Sequence, residues 1–403
     1  MTRASELPFQ HDRRDGSTAP TPAPGDLTLP VHRLAEAAAL LVCPRTQLRL
    51  TVCSASEAEA RMGAPLVPRE DLLNAKGRIA KPRGRTETVL LREDLKCAYP
   101  VVDGIPVLLA PEMLTAAADR GTFDLRDPRY AEAYEEMEYY DQVATEDAAR
   151  ILESTAWQSV SRVMRGGEVA RRQFPLPREV WIDAVYDCAS QWDAYRHLAP
   201  MEGKRVMQLG GKGIHAVKHL IAGATEAWVV APMVGEMRCA LTLAAAAGVA
   251  DRLRCAVAVA EELPLESGSI DAIFSAGCLH HMTTDLALPE VARVLAPGGR
   301  FAAIEPWRAP LYAIGTKLLG KREPAVYCRP LTRERLAPLR HSFAWSEVVH
   351  HGALTRYPLL ALSKFGIASN LAVVWQSNQV DDAICGAVGL RRLGSSVAVL
   401  GTK

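Results

Sequence analysis

Residues 203–213, GKRVMQLGGKG, decide the fold. An apolar run, Val206 to Leu209, stops at closely spaced glycines, and an amphipathic segment follows. The same cadence returns downstream. Residues 226–232, EAWVVAP, form a second short run, and 252–282, RLRCAVAVAEELPLESGSIDAIFSAGCLHHM, hold two more. Residues 288–307, LPEVARVLAPGGRFAAIEPW, supply a helix, a Pro-Gly-Gly turn and a fifth strand. Strands that alternate with helix-length segments predict an α/β fold with a parallel sheet covered on both faces. Open sheets of that kind bind ligands at the carboxyl ends of their strands.

Three of these pieces, MQLGGKG (207–213), LPLESGSIDAIFSAGCLHHM (263–282) and EVARVLAPGGRFAAIEP (290–306), carry a family resemblance. They resemble the glycine loop, fourth-strand and fifth-strand segments of class I S-adenosylmethionine (SAM)-dependent methyltransferases, most of all the branch of the ubiquinone and menaquinone biosynthesis enzymes. The specificity lies in the ordered set, since a glycine loop alone is a weak signal. The resemblance implies a Rossmann-like sheet under a helical cap, with SAM as cofactor.

Composition bounds the rest. A chain of 403 residues has room for two or three domains, and 49% hydrophobic with 23% charged residues describes an ordinary globular protein. A net charge of +1 gives no global pull toward nucleic acid or an anionic membrane, and no nucleic-acid motif stands out. No run approaches the roughly 20 apolar residues that cross a bilayer. The opening residues, MTRASELPFQHDRRDG, lack the apolar centre of a secretory signal, so the expected location is the cytoplasm. Nine scattered cysteines do not make a disulfide framework.

Along the chain, residues 1–30 read as a flexible tail around TAPTPAPGD, and 31–112 as a small β-rich module. That module opens on AALLVCPRTQLRLTV and closes on LKCAYPVVDGIPVLLAPE. Its closing piece resembles the small zinc-ribbon-like proteins that activate tRNA and protein methyltransferases. The three thiols Cys43, Cys53 and Cys97 lack their CxxC partners, however, so no metal is expected. Residues 113–200 read as a helical cap, from YAEAYEEMEYYDQVATEDAARILE and WIDAVYDCASQWDAYRHLAP. Residues 201–403 form the expected SAM-binding domain, with LAVVWQSNQV (371–380) and SSVAVLGTK (395–403) read as its last strands. An exposed apolar face in the cap would suit a homodimer contact.

The site is read from the loops. Gly210, Gly211 and Gly213 permit close backbone approach and positive φ, and the helix after them offers free N–H groups to an anion. The resemblance implies an acid where Gln208 stands, a second at the end of the second strand, where Ala231 and Pro232 fall, and a third near the adenine, where Val259 and Ala260 fall. Glu236 and Glu261 are the nearest substitutes. Lys212 suits the methionine carboxylate of SAM, while His215 and His219, four apart, read as a half-buried helix face. Ala276 and Gly277 lead from the fourth strand into Leu279-His280-His281-Met282. His281, or else His280, is the candidate base, since a histidine titrates near neutrality. Glu305 and Trp307, at the end of the fifth strand, are candidate substrate contacts.

The expected function is transfer of a methyl group from SAM to a hydroxyl, amine or carbon of a small molecule in a biosynthetic pathway. The displaced acids keep two others open: SAM-dependent chemistry of another kind, such as cyclisation or aminocarboxypropyl transfer, and a non-catalytic binding protein.

Overall fold

The computed structural model describes residues 31–68, 72–73, 79–80, 86–119, 127–310, 329–367 and 370–403. The expected tail, residues 1–30, lies outside them, as does 311–328 of the segment after the fifth strand. The first part of the chain folds as α1 (Val31–Ala38), β1 (Leu50–Ser54), α2 (Ala55–Met62), β2 (Leu66–Pro68), β3 (Leu72–Leu73), β4 (Ile79–Ala80), β5 (Thr88–Arg92), β6 (Cys97–Val102), β7 (Ile105–Pro106) and β8 (Leu114–Ala116). An antiparallel sheet runs β1-β5-β6-β8-β2, with β7 on β6. The β6–β7 hairpin turns on Asp103-Gly104, both at positive φ, which is the two-residue turn that matches strand twist. The sheet takes in β8, so it continues past residue 112. Cys43 and Cys97 sit in the main core and Cys53 in a separate cluster with Ala58 and Leu66, so the three thiols do not converge.

Helices follow: α3 (Ala131–Ala149), α4 (Thr155–Arg165), α5 (Gly167–Arg172), α6 (Arg178–Trp181) and α7 (Cys188–Leu198). The remainder is β9 (Arg205–Leu209), α8 (Ile214–Ile221), β10 (Glu226–Ala231), α9 (Val234–Ala246), β11 (Leu253–Val257), β12 (Ile270–Ala276), α10 (Thr284–Val294), β13 (Leu295–Pro306), α11 (Leu339–Ser342), β14 (Trp345–His351), α12 (Arg356–Lys364), α13 (Leu371–Ala387) and β15 (Ser396–Thr402). The seven strands order as β11-β10-β9-β12-β13-β15-β14. Strands β9 to β13 pair in parallel, and β15 runs antiparallel to both neighbours. This is the α/β sheet that the strand–helix alternation predicts. The order reverses between β9 and β12, and right-handed crossovers there leave a crevice at the carboxyl ends of the strands. β11 and most of β10 are buried throughout, as a strand covered on both faces must be.

Two readings of the chain change. LAVVWQSNQV is the start of α13, not a strand. Its buried residues Val374, Asn378, Asp381 and Cys385 fall on one helical face, and the Asn370 side chain caps the helix by accepting from the Val373 N–H. The strand in that part of the sheet is β14, WSEVVHH, whose exposed and half-buried residues hide it from an apolar search. The Pro-Gly-Gly segment is a bulge inside β13 rather than a turn before it. Pairing with β12 slips between Ile270↔Leu295 and Ala272↔Arg300.

The antiparallel sheet covers the outer edge of the parallel one. Leu108 N–H donates to the Val257 carbonyl at 2.7 Å, Val42 N–H to that of Pro264 at 3.0 Å, and Glu266 N–H to that of Leu40 at 3.0 Å. These bonds occupy backbone groups along and beyond β11 that would otherwise template aggregation. Arg238 pairs with Asp103, and Arg254 with Glu36, across the same boundary.

Candidate active site

A cavity of ≈ 270 Å³ opens at the carboxyl ends of β9 to β12, beneath α3. Its floor is Gly210 and Gly211; Ala231, Pro232 and Glu236 stand on one side, and Val259, Ala260 and Glu261 on the next. Gly277, Cys278, His281 and Met282 close the third side, while Pro128, Arg129, Glu132, Ala133 and Tyr140 form the roof. Ten of the residues read from the sequence thus line this cavity: Gly210, Gly211, Ala231, Pro232, Glu236, Val259, Ala260, Glu261, Gly277 and His281. The roof residues carry no loop motif, and only the tertiary path of α3 brings them there.

The other candidates lie elsewhere, each for a local reason. Gln208 is buried, and both ends of its amide bond within the turn and the helix after it. Its Oε1 accepts the Ala216 N–H at 2.9 Å, capping α8, and its Nε2 donates to the Gly210 carbonyl at 2.8 Å. A carboxylate could supply only the first of these bonds. Gly213 is the αL residue that starts α8, and a Cβ there would come within 2.9 Å of Ala240 Cα in α9. Lys212 pairs with Asp147 of α3 and is absent from the cavity wall. Trp307 is buried edge-on to His350, with ring centroids 4.8 Å apart.

Glu305 and His280 hold the loop after β12. Glu305 Oε1 accepts the N–H groups of Cys278 and Leu279 at 3.0 and 2.8 Å, and its Oε2 accepts that of His280 at 3.3 Å and faces His280 Nδ1 at 2.6 Å. Glu261 Oε1 accepts the next free N–H, that of Thr283, at 2.6 Å. Guanidinium groups take the carbonyls: Arg329 donates to His281 O, and Arg335 to His280 O and Met282 O. Every turn of this loop is therefore tied by charge-assisted bonds. Within it His281 faces the cavity, its Nδ1 3.5 Å from Glu132 Oε1 of α3, and Glu132 pairs with Arg329.

Two carboxylic acids in the wall are set apart by their environment. Burial pushes Glu236 up to about 7, aided by the Asp141 charge and opposed by Lys212 and the Gly211 N–H. Burial likewise pushes Glu261 up to about 7, against the Thr283 N–H. Glu236 Oε2 has no hydrogen-bond partner among the described residues. A buried carboxylate oxygen left so in a cavity is a seat for a ligand donor. Polar groups also line a second cavity, of ≈ 340 Å³, which shares Gly277 with the first and includes His215, Ala276 and Glu305.

Residues 219–303 match the family described as a methyltransferase domain. The match begins inside α8, after the unusual glycine loop, and ends inside β13. An uncharacterized methyltransferase of Mycobacterium tuberculosis is 34% identical over 115 residues, which are 28% of this chain and 44% of that protein. The ubiquinone/menaquinone biosynthesis C-methyltransferase of Rubrivivax gelatinosus is 36% identical over 111 residues, 27% of this chain and 42% of that protein. The chain thus spans under half the length of these curated relatives. Among solved structures, geranyl diphosphate C-methyltransferase from Streptomyces coelicolor A3(2) aligns with a TM-score of 0.38 at 18% identity, over 53% of this chain and 77% of that one. Among the described residues no helix is long and apolar enough to cross a membrane, and no group of three or more His, Cys, Asp and Glu side chains is placed to hold a metal ion.

Proposed function

We propose that this protein is a SAM-dependent methyltransferase acting on a small-molecule acceptor. The observation that carries the reading is the unpartnered Oε2 of Glu236, buried in the wall of a cavity at the strand-order switch. A ribose offers two hydroxyl donors to such an oxygen. Glu236 stands one turn into α9 and so reaches the same space that an acid at Ala231 or Pro232 would serve. Glu261 is the acceptor for the adenine amino group, and Gly210 and Gly211 let the backbone close on the ligand. Three acids of the familiar pattern are thus replaced by two from neighbouring positions and one amide turned inward.

SAM, when bound, supplies a methyl group on a positively charged sulfur. The protein's part is alignment and exclusion of water. α3 covers the cavity, and its Tyr140 and Glu132 approach His281. For an acceptor group that reaches the first cavity, His281 is the candidate to take a proton from a hydroxyl or amine, its Nδ1 lying 3.5 Å from Glu132 Oε1. His280 serves the loop through Glu305. The relatives' names include C-methylation, which needs the same alignment.

Calorimetric titration with SAM and with S-adenosylhomocysteine tests the reading. Micromolar binding of both is expected, followed by a product 14 Da heavier from an accepted substrate pool. No heat at millimolar ligand would overturn it. Binding without a methylated product, but with SAM consumed, would favour cyclisation or aminocarboxypropyl transfer.

A further inference from the structure

The second cavity shares Gly277 with the first, so a molecule in it would be a neighbour of one bound in the first. Three carboxylates stand in its wall, and their hydrogen bonds are largely accounted for. Asp183 accepts from Ser159 Oγ at 2.6 Å, Gln191 Nε2 at 2.6 Å and Lys218 Nζ at 2.9 Å. Glu305 is committed to the loop after β12, as described above. Asp187 Oδ1 receives the Arg356 guanidinium, from Nε at 3.1 Å and Nη2 at 3.0 Å.

His215 is the exception. It is half-buried at the start of α8, its Nδ1 lies 2.6 Å from the Tyr195 hydroxyl, and its Nε2 makes no hydrogen bond among the described residues. Its bond to Tyr195 favours one tautomer. Gln191 Oε1 accepts the N–H groups of Asp183 and Ala184, both at 2.9 Å, which makes Nε2 the donor end of that amide. Gln191 Nε2 donates to Asp183 Oδ1 at 2.6 Å. Among the described residues His215 Nδ1 is the one acceptor bonded to the buried Tyr195 hydroxyl, so that hydroxyl gives its proton there and the ring proton sits on Nε2 of a ring that lines the cavity. Burial, with the nearby Lys218 charge, lowers the His215 pKa to about 4 against the pull of Asp183, so the ring is neutral at physiological pH.

We propose that this second cavity holds the methyl-accepting molecule and that His215 donates its Nε2–H to an uncharged hydroxyl or carbonyl oxygen of that molecule. The proposal rests on the methyltransferase reading. An anionic acceptor would face three carboxylates, with the Arg356 guanidinium already engaged by Asp187. An ammonium can donate to Asp187 Oδ2 but has no lone pair to accept the His215 N–H. A hydroxyl suits both sides: it accepts from His215, and Asp187 Oδ2 remains to receive its proton. His215 is a binding and positioning group here, not a base.

The test uses the full chain saturated with S-adenosylhomocysteine and three probes of equal size: benzyl alcohol, benzoate and benzylamine. Heteronuclear NMR of the histidine rings reads contact at His215, identified by its loss in His215→Phe. Benzyl alcohol is expected to shift the His215 ring saturably, and His215→Phe to weaken its binding about tenfold, the scale of one lost hydrogen bond. S-adenosylhomocysteine affinity should change less than about twofold in that variant, since the first cavity keeps its wall. Tyr195→Phe, a smaller change, should convert the ring to mixed tautomers and weaken benzyl alcohol as well. Benzoate or benzylamine binding as tightly as the alcohol would overturn the proposal. So would binding indifferent to His215→Phe, or no probe reaching His215. Absent S-adenosylhomocysteine binding with the alcohol contact intact would instead strike the methyltransferase reading.

Discussion

Gln208 and Glu236 show how single residues can exchange roles without emptying a site. An amide at position 208 closes the glycine turn on itself through Gly210 and Ala216, and under the proposed function the acid that meets a ribose comes from α9. Gln208→Glu, which restores the familiar acid, is therefore expected to destabilise the fold by about 1–3 kcal/mol, because it sets a buried charge against the Gly210 carbonyl. Urea denaturation of the two proteins measures it. Glu236→Gln is expected to weaken SAM binding about tenfold with little change in the denaturation midpoint.

The same two carboxyls give the protein a pH signature. For Glu236 and Glu261 the folded pKa is raised from 4.5 to about 7, so the folded state holds protons that the unfolded state has released. Their contribution to stability falls as pH rises from about 4.5 to about 7 and is flat above. Ligand donors prefer the ionised acids, so cofactor affinity should rise between pH 6 and 8 with release of protons. Calorimetry in buffers of different ionisation heat checks both the sign and the proton count. Affinity that falls over that interval would remove these acids from the site.

At the scale of elements, the glycine loop serves packing as much as ligand approach. Gly213 lies at φ +79° and lets α8 close against Ala240 of α9, whereas Gly277, at φ +64°, has open space beside it on the cavity wall. Gly213→Ala combines an unfavourable αL backbone with overpacking and is expected to cost about 2–4 kcal/mol. Gly277→Ala carries the backbone term alone, about 1–2 kcal/mol. Denaturant midpoints of the two variants should separate in that order. Strand–helix alternation made β9 to β13 legible, because each parallel strand is a largely apolar run and all but β11 end at or beside glycine or proline. β14 escaped because its residues are charged, polar or half-exposed. α13 was mistaken because Leu371 to Trp375 is a short apolar run, and only the cap at Asn370 and the spacing down to Cys385 mark it as a helix.

Across the whole molecule, the late elements are tied to the cap by a buried histidine. His351 of β14 bonds Asp382 of α13 through Nδ1 at 2.6 Å and Asp193 of α7 through Nε2 at 2.9 Å. Burial opposes the charge, but the two carboxylates prevail and raise its pKa from 6.5 to about 9. The stabilisation is then fully present below pH 6.5 and lost as pH rises through about 9. His351→Gln should cost about 2–3 kcal/mol at pH 6, short of a fully dry pair because Asp193 is partly exposed. The gap from the parent protein should narrow at pH 10. Denaturation curves at the two pH values measure both.

The sequence by itself determined the parallel sheet, its glycine floor and the run of wall residues from Ala231 to His281, because strand ends in such a sheet must converge at one crevice. It also located Glu236 and Glu261 as the nearest acids. Which candidates reach the cavity was decided by tertiary packing alone. Lys212 was drawn off by Asp147, Gln208 was turned inward by its own loop, and Glu305 was absorbed by the turn after β12. A local pattern fixes where a backbone goes, but a polar side chain settles on the partner that the rest of the fold brings within reach. His215 is the clearest case. Its spacing from His219 marks a helix face, and only the approach of α7, with Tyr195 on its Nδ1, leaves Nε2 without a hydrogen bond among the described residues.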